Sequence, residues 1–586
     1  MTRTARLRRA PAAGRSWPRG AALAARRKLP GAAMARGAAG LAGPLLAGTW
    51  TGWGTLSVVA AVGALWGTGQ DGGDVYSSRI RRLAWTAITA ALGYLFGELA
   101  LRSDRPAAVT LCLVAAGFIA GLISLHGRIA SVAGMHLLLG AVIGAGIPVP
   151  GPWWQPPLAL LSGALWVCLL SALPWLWARH DIERAAVTTV YRVAGEALAM
   201  AGTQAAEEAR RRLTDALDAA HRAMSGHLAS GERVPGQTDL GRLVHAFRIA
   251  VLLGEAVTTL LWEARPLQPA VTCVPQMMAA QLLPRRRNTA GPQPVIPGGL
   301  SGHGQQPAFE PDSSGVWALA DLWAAASQHR VDDLPLQPPA GSLADRTAQL
   351  RYATLLTVCV LIAQWYATTL NGPRGYWLPM TVAFIYKPDF GPLFRRALHR
   401  CAGTVAGAVI IGPIAFLTDS VYAFIAVAAV FGALMAIGVR HHYAIATTGL
   451  TAIVFVLLDL LGDHRNLYGP RILDTALAAA IVLFVHFAVW PDSAAAHAEQ
   501  QTRNALIATR RYLELAPGAP LAQRHALRRT AYQQLAEARR VIDDALSEPL
   551  RPGRPRPDWE RSIAAAERLC DLVTARGSVL RHAVSA

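Results

Sequence analysis

The sequence predicts an all-α, polytopic membrane protein. Two six-helix transmembrane repeats in parallel orientation carry helical cytoplasmic domains. Three observations lead there. Long apolar runs recur along the chain. Charge is sparse and gathers at the ends of those runs. The first and last membrane blocks also repeat one pattern of landmarks.

The chain has 586 residues, of which 53% are hydrophobic and 16% charged. An average soluble protein carries roughly 25% charged residues. Apolar runs lie at 58–66, 83–101, 107–125, 158–177, 352–370, 401–417, 421–439, 443–461 and 472–490. Several approach the ~20 residues that a spanning helix needs. They are continuous rather than alternating, which disfavours barrel strands. One buried soluble helix could explain one such run, but not this many.

Taken in order, residues 1–36 form an arginine-rich arm without acids, read as a cytoplasmic segment facing anionic lipid. Six spans follow within 37–177, at about 37–52, 53–69, 83–101, 107–125, 130–147 and 157–177. Residues 178–264 are polar with helical spacing, as in "EEARRRLTDALDAAHRAM", and are expected to form a cytoplasmic helical domain. Pro, Gly, Ser and Gln crowd 265–345, which is expected to be a disordered linker. Six more spans fall within 346–492, at about 350–371, 376–388, 400–417, 420–439, 443–461 and 471–491. Residues 493–586 read as a second cytoplasmic helical domain. With the N-terminus inside, the inner turns collect Arg79, Arg81, Arg82, Arg128, Lys387, Arg395, Arg396, Arg400 and Arg440. That distribution places both termini in the cytoplasm of a plasma (inner) membrane protein.

The repeat rests on matched landmarks. Trp53 aligns with Trp377 and Ser57 with Thr381. "RLAWT", beginning at Arg82, falls on "RCAGT", beginning at Arg400. Each following helix carries GxxxG, at Gly93 and Gly97 and at Gly403 and Gly407. Such spacing lets helices touch through backbone. The segment at 376–388 is too short to cross a bilayer and contains Pro379, which removes a backbone donor. Paired short, interrupted spans in two halves point to a transporter's midplane site. Trp53, Ser57, Trp377, Pro379 and Thr381 are therefore expected to border a transport cavity. Lys387, Asp389, Arg400 and Arg82 are candidates for attracting anions at an inner mouth, with interfacial anchoring or turn capping as the plain alternatives. Arg471 and Asp474 stand one helical turn apart. They read as a structural pair or, where Asp474 faces a cavity, as a proton-coupling site.

The stretch "YWLPMTVAFIYKPDFGPLFRRALHRCAGTVAG" closely resembles the signature of the FUSC family, the fusaric acid resistance protein-like membrane proteins, which include aromatic acid exporters. Trp377, Thr381, Pro388, Phe390, Gly391, Arg400, Gly403 and Thr404 fall on that pattern. "RILDTALAAAIVLFVHFAVWP" is similar to the family's last helix at Arg471, Asp474, Thr475, Trp490 and Pro491. The resemblance covers about 350–492, and the first half follows only in layout. It implies an exporter of small organic acids, aromatic acids included.

Phosphate-binding glycine loops, HExxH and GxSxG are absent, so neither ATP hydrolysis nor another enzyme activity is expected. Six scattered cysteines form no CxxC pair, and no metal or cofactor is expected. The net charge of +19 follows from membrane topology rather than nucleic-acid binding. Expected partners are the lipid bilayer and a small organic acid, with a homo-oligomer left open. A membrane scaffold and an anion channel are the competing functions.

Overall fold

A computed structural model describes residues 30–124, 126–176, 179–229, 238–283, 311–327, 346–369, 374–387, 392–462, 467–490, 493–548 and 558–585. They fold as helices. The first block comprises α1 (Gly31–Thr51), α2 (Gly54–Gln70), α3 (Tyr76–Arg102), α4 (Pro106–Ser124), α5 (Arg128–Gly146) and α6 (Gln155–Ala172). The second comprises α13 (Arg346–Thr369), α14 (Trp377–Ile385), α15 (Leu393–Leu417), α16 (Val421–His441), α17 (Tyr443–Leu460) and α18 (Tyr468–Val489). Between them lie α7 (Asp181–Ala199), α8 (Ala206–Ala229), α9 (Asp239–Trp262), α10 (Pro269–Thr272), α11 (Val274–Leu282) and α12 (Ser314–Ser327). After the second block come α19 (Ser493–Leu515), α20 (Leu521–Leu546) and α21 (Trp559–Ser585).

Ten of the described helices are long and apolar enough to cross a membrane. One of them, α9, has a different reason for its composition. It is the centre of the helical module, with Phe247, Ala250, Leu253, Val257 and Leu260 fully buried. The other nine lie in the two blocks, together with glycine-rich α1, 17-residue α2 and nine-residue α14. The protein is a multi-pass membrane protein.

The two blocks are built alike. In each, the second helix packs on the first and sixth, the third on the fifth and sixth, and the fourth on the fifth. Across the interface the first helix of each block packs on the fourth of the other: α1 on α16, and α13 on α4. Small residues make both crossings close. A Cβ added at Gly37 would meet Gly432 O at 2.5 Å, and one at Gly121 would meet Ala353 Cα at 2.4 Å. Helices that pack without a hydrophobic driving force rely on such backbone contact. The GxxxG pairs serve one equivalent contact: Gly93 and Gly97 seat α3 on α5, while Gly403 and Gly407 seat α15 on α17.

Helix α14 rises only about 14 Å at 1.5 Å per residue, half of a hydrocarbon core of about 30 Å. It stays inside protein, with Trp377 through Ala383 and Ile385 buried. Its C-terminal end is held by neighbours. Tyr352 Oη donates to Tyr386 O at 2.8 Å, and Arg396 Nη1 donates to Ile385 O at 3.2 Å. A broken backbone at membrane depth needs such partners.

The predicted linker at 265–345 requires correction. Helices α10, α11 and α12 bury Val271, Val274, Met278, Val316, Leu319 and Ala326 in the module's core. Their prolines sit at helix starts rather than in a linker. Pro269 and Pro275 stand in first turns, where a missing N–H costs little. Residues 284–310 and 328–345 lie outside the described residues, as does the arm at 1–29.

The regions on either side of the second block also join. α21 packs on α9 and α12, and α20 on α8. Glu567, 2% exposed, receives Arg210 at 3.1 Å and Arg211 at 3.4 Å and also pairs with Arg539. Glu255 receives His525 at 2.7 Å. Removing one partner from a buried ionic network leaves uncompensated charge. Glu567→Ala is therefore expected to destabilise the module by about 3–5 kcal/mol, read as a drop in its thermal unfolding midpoint. A variant that melts with the parent would show that this network does not hold the module together.

Asp218, on α8, lines a small cleft against α20. Burial pushes its carboxyl up to about 6, against the pull of Arg222 and Arg529. Below the unfolded value both states are protonated and burial exacts no penalty. As pH rises through 4 towards 6 only the unfolded chain ionises, so stability falls and then stays lower. Asp218→Asn should raise the melting temperature at pH 7.5 and leave it unchanged at pH 4. Equal effects at both pH values would contradict this environment.

Candidate functional site

A cavity of about 340 Å³ lies between the blocks at their arginine-rich end. The first block contributes Trp66 and Gln70 from the end of α2, and Met135 and His136 from α5. The second contributes Phe384 and Lys387 from the end of α14 and Arg400 from α15, with Arg440, His441, His442, Tyr443 and Thr447 where α16 turns into α17. Among these described residues the charged side chains are basic and none is acidic.

Arg400 is the most constrained of them. It is 1% exposed, and its Nε and Nη2 are buried without a hydrogen-bond partner among the described residues. Its guanidinium lies 4.5 Å from the centre of the Phe384 ring. A cation–π contact is worth about 0.5–2 kcal/mol. A buried charged group with unmet donors costs about 1–3 kcal/mol or more. The ring therefore offsets only part of the cost of burying Arg400.

Arg82 occupies the matching place in the first block, and its surroundings differ. Its guanidinium pairs with Asp74, and Nε and Nη2 donate to Gln70 O at 3.1 and 2.8 Å. Asp71 likewise holds Arg36 at 2.7 Å and Arg79 at 3.6 Å. The first block thus neutralises its arginines internally, while Arg400 faces the cavity. Arg440, on the cavity's rim, donates to Gly72 O at 3.3 Å and so ties the two blocks together.

The other predicted residues are placed as follows. Trp53 is 67% exposed at the N-terminal end of α2, where an indole suits a membrane interface. Ser57 is half-buried and donates to Gly54 O at 2.7 Å. Trp377, Pro379 and Thr381 are buried within α14, and Thr381 Oγ1 donates to Trp377 O at 2.8 Å. None of these five lines the cavity. The short helix supplies its lining from the opposite end, through Phe384 and Lys387. Arg471, 1% exposed, lies 5.1 Å from the centre of the Trp377 ring, and no ion pair within 4.0 Å joins it to half-buried Asp474. The stacked guanidinium has turned to the aromatic face instead of the carboxylate one turn away. Asp389, with Pro388, Phe390 and Gly391, lies outside the described residues.

Sequence reasoning missed Phe384, Trp66 and Tyr443 as lining residues. The run Arg440-His441-His442-Tyr443 between two spans was the available signal.

Residues 358–485 match the model of the fusaric acid resistance protein-like family. Over that stretch the second block is similar to the fusaric acid resistance protein-like family. The matched segment contains α14, Lys387, Arg400 and the α16–α17 turn, and therefore the basic part of the cavity. The chain is 25% identical to the inner membrane protein YccS of Escherichia coli over 39% of its length and 31% of that protein. It is 30% identical to the uncharacterized protein YhfK of the same organism over 27% of the chain and 23% of YhfK. It is 23% identical to the uncharacterized membrane protein YvaC of Bacillus subtilis over 86% of the chain and 79% of YvaC. The match to YccS, like that to YhfK, spans a third or less of the relative. No solved structure matches the chain. Outside the matched stretch, the first block shares its packing plan with the second.

Proposed function

We propose that this protein exports small organic anions, aromatic carboxylates foremost, and that the cavity at Lys387 and Arg400 is their binding site. The observation that carries this reading is Arg400: a buried guanidinium with two nitrogens unmet among the described residues, beside Lys387 and an aromatic ring. A carboxylate would supply the missing acceptors, and guanidinium–carboxylate geometry favours two parallel hydrogen bonds. Trp66, Phe384 and Tyr443 offer rings to an aromatic acid. The family's description points towards resistance to such an acid. The cavity lies on the interface between two alike blocks, where rocking of one block against the other would change its access. The arginine-rich end faces the cytoplasm in this reading, so the site loads from inside. Asp474 does not line this cavity, so a coupling proton on its carboxyl would act from outside the site.

Proteoliposomes containing the purified chain test this. Saturable flux of benzoate-like acids, without flux of the matching amides, is the expected result. Asp474→Asn should remove dependence on an imposed proton gradient. Conductance far above carrier rates would favour a channel. No flux of any acid would leave the helical module as the working part and the protein as a scaffold.

A further inference from the structure

The first turn of α7 and the C-terminal end of α8 bring together two histidines and a carboxylate. His180 is the residue before α7, Glu183 is three positions on, and His227 comes from α8. One donor atom from each lies within 4.8 Å of the other two. His227 Nε2 stands 3.4 Å from Glu183 Oε1, beyond the usual range of a charge-assisted hydrogen bond. Glu183 is 2% exposed, and its other oxygen, Oε2, is buried without a hydrogen-bond partner among the described residues. Arg179, one residue before His180, lies 5.0 Å from the centre of the Trp175 ring, so its guanidinium is engaged there.

We propose that His180, Glu183 and His227 bind a divalent transition-metal ion, with zinc the best fit to the donors. Imidazole nitrogens with one carboxylate select zinc-like ions over calcium or magnesium, which prefer oxygen. Tetrahedral zinc with bonds near 2.1 Å places donors about 3.4 Å apart. The His227–Glu183 distance already has that value, and a donor atom of His180 lies within 4.8 Å of the other two ligands. Three protein ligands leave a fourth position for water. The buried Glu183 oxygen would then face a cation. The ion would clasp α8 to the start of α7, the first helix after the chain leaves the first membrane block. That would stiffen the joint between the membrane block and the module. Binding should weaken as pH falls, because the ligating histidines must be neutral.

The test uses tag-free, full-length protein in detergent, stripped with a chelator and given zinc or cobalt alone. One ion per chain at micromolar or lower free metal is expected, with the visible absorption of four- or five-coordinate cobalt. Glu183→Gln and His227→Gln should each weaken binding at least tenfold, while His525→Ala, in a buried pair elsewhere, should not. Site mapping needs no variant: zinc should shield His180 and His227 from acylation by diethyl pyrocarbonate and leave the reaction of His497 unchanged. Absence of stoichiometric metal on the parent protein would overturn the proposal. So would unaltered binding by both variants, or labelling of His180 and His227 that zinc does not slow. Those results would leave a plain histidine–carboxylate pair.

Discussion

Arg400→Gln is expected to lower carboxylate transport about ten- to hundredfold while leaving the protein as thermostable as the parent, or more so. A hydrogen bond to a charged group contributes about 1.5–3 kcal/mol, and each 1.4 kcal/mol is tenfold in affinity. The two effects should diverge because Arg400 is costly without a ligand. Its Nε and Nη2 are buried and unmet among the described residues, and the Phe384 ring offsets only part of that. Removing a buried charge that lacks a partner also removes its desolvation cost. Arg82→Gln should do the reverse. That guanidinium is satisfied by Asp74 and Gln70, so its loss leaves Asp74 with only the longer Arg128 pair at 3.7 Å and lowers the melting temperature. Transport and melting curves on both variants check this. A marked loss of stability in Arg400→Gln would show that the residue is a structural anchor.

The second large effect concerns the packing of α3 on α5. A Cβ at Gly93 would lie 2.0 Å from Leu137 O, and one at Gly97 would lie 2.2 Å from Ala141 O. The matching distances in the second block are 2.7 Å from Gly403 to Ala444 O and 2.8 Å from Gly407 to Thr448 O. Overpacking typically costs about 1–3 kcal/mol and sometimes more. Gly93→Leu is expected to abolish accumulation of folded protein, because backbone cannot yield as a side chain tip can. Gly93→Ala should lose more thermal stability than Gly407→Ala. Fluorescence-detected size exclusion on membranes extracted at matched expression gives both readouts. Equal behaviour of the two alanine variants would contradict the asymmetry between the blocks.

Much of this architecture was legible in the sequence. Continuous apolar runs mark membrane helices whatever their partners. Gly93, Gly97, Gly403 and Gly407 marked the third helix of each block because close approach admits few other residues. The buried helix α9 was distinguishable from a span by Arg248, Glu255 and Glu263. The site was legible only in part. Lys387 and Arg400 drew attention as charges beside apolar runs, and the cavity includes them. Trp53 and Trp377 were matched by residue type, yet one is exposed at a helix end and the other fully buried. Hydropathy does not reveal which face of a helix meets lipid and which meets protein. Trp66, Phe384 and Tyr443 converge from three helices, and that convergence is a property of packing alone. The difference between Arg82 and Arg400 was not legible, since Asp389 precedes Arg400 at the spacing at which Asp71 precedes Arg82. The prolines of α10 and α11 hid two helices because proline at a helix start resembles proline in a linker.

The central claim is that the cavity at Arg400 holds an organic anion. Equilibrium binding of a radiolabelled aromatic carboxylate to the purified protein tests it most directly. The account predicts saturable binding at one site per chain, displaced by unlabelled carboxylate but not by the corresponding amide, and lost in Arg400→Gln at full retention of fold. Binding that survives Arg400→Gln unchanged, or no saturable binding to the parent protein, would contradict it.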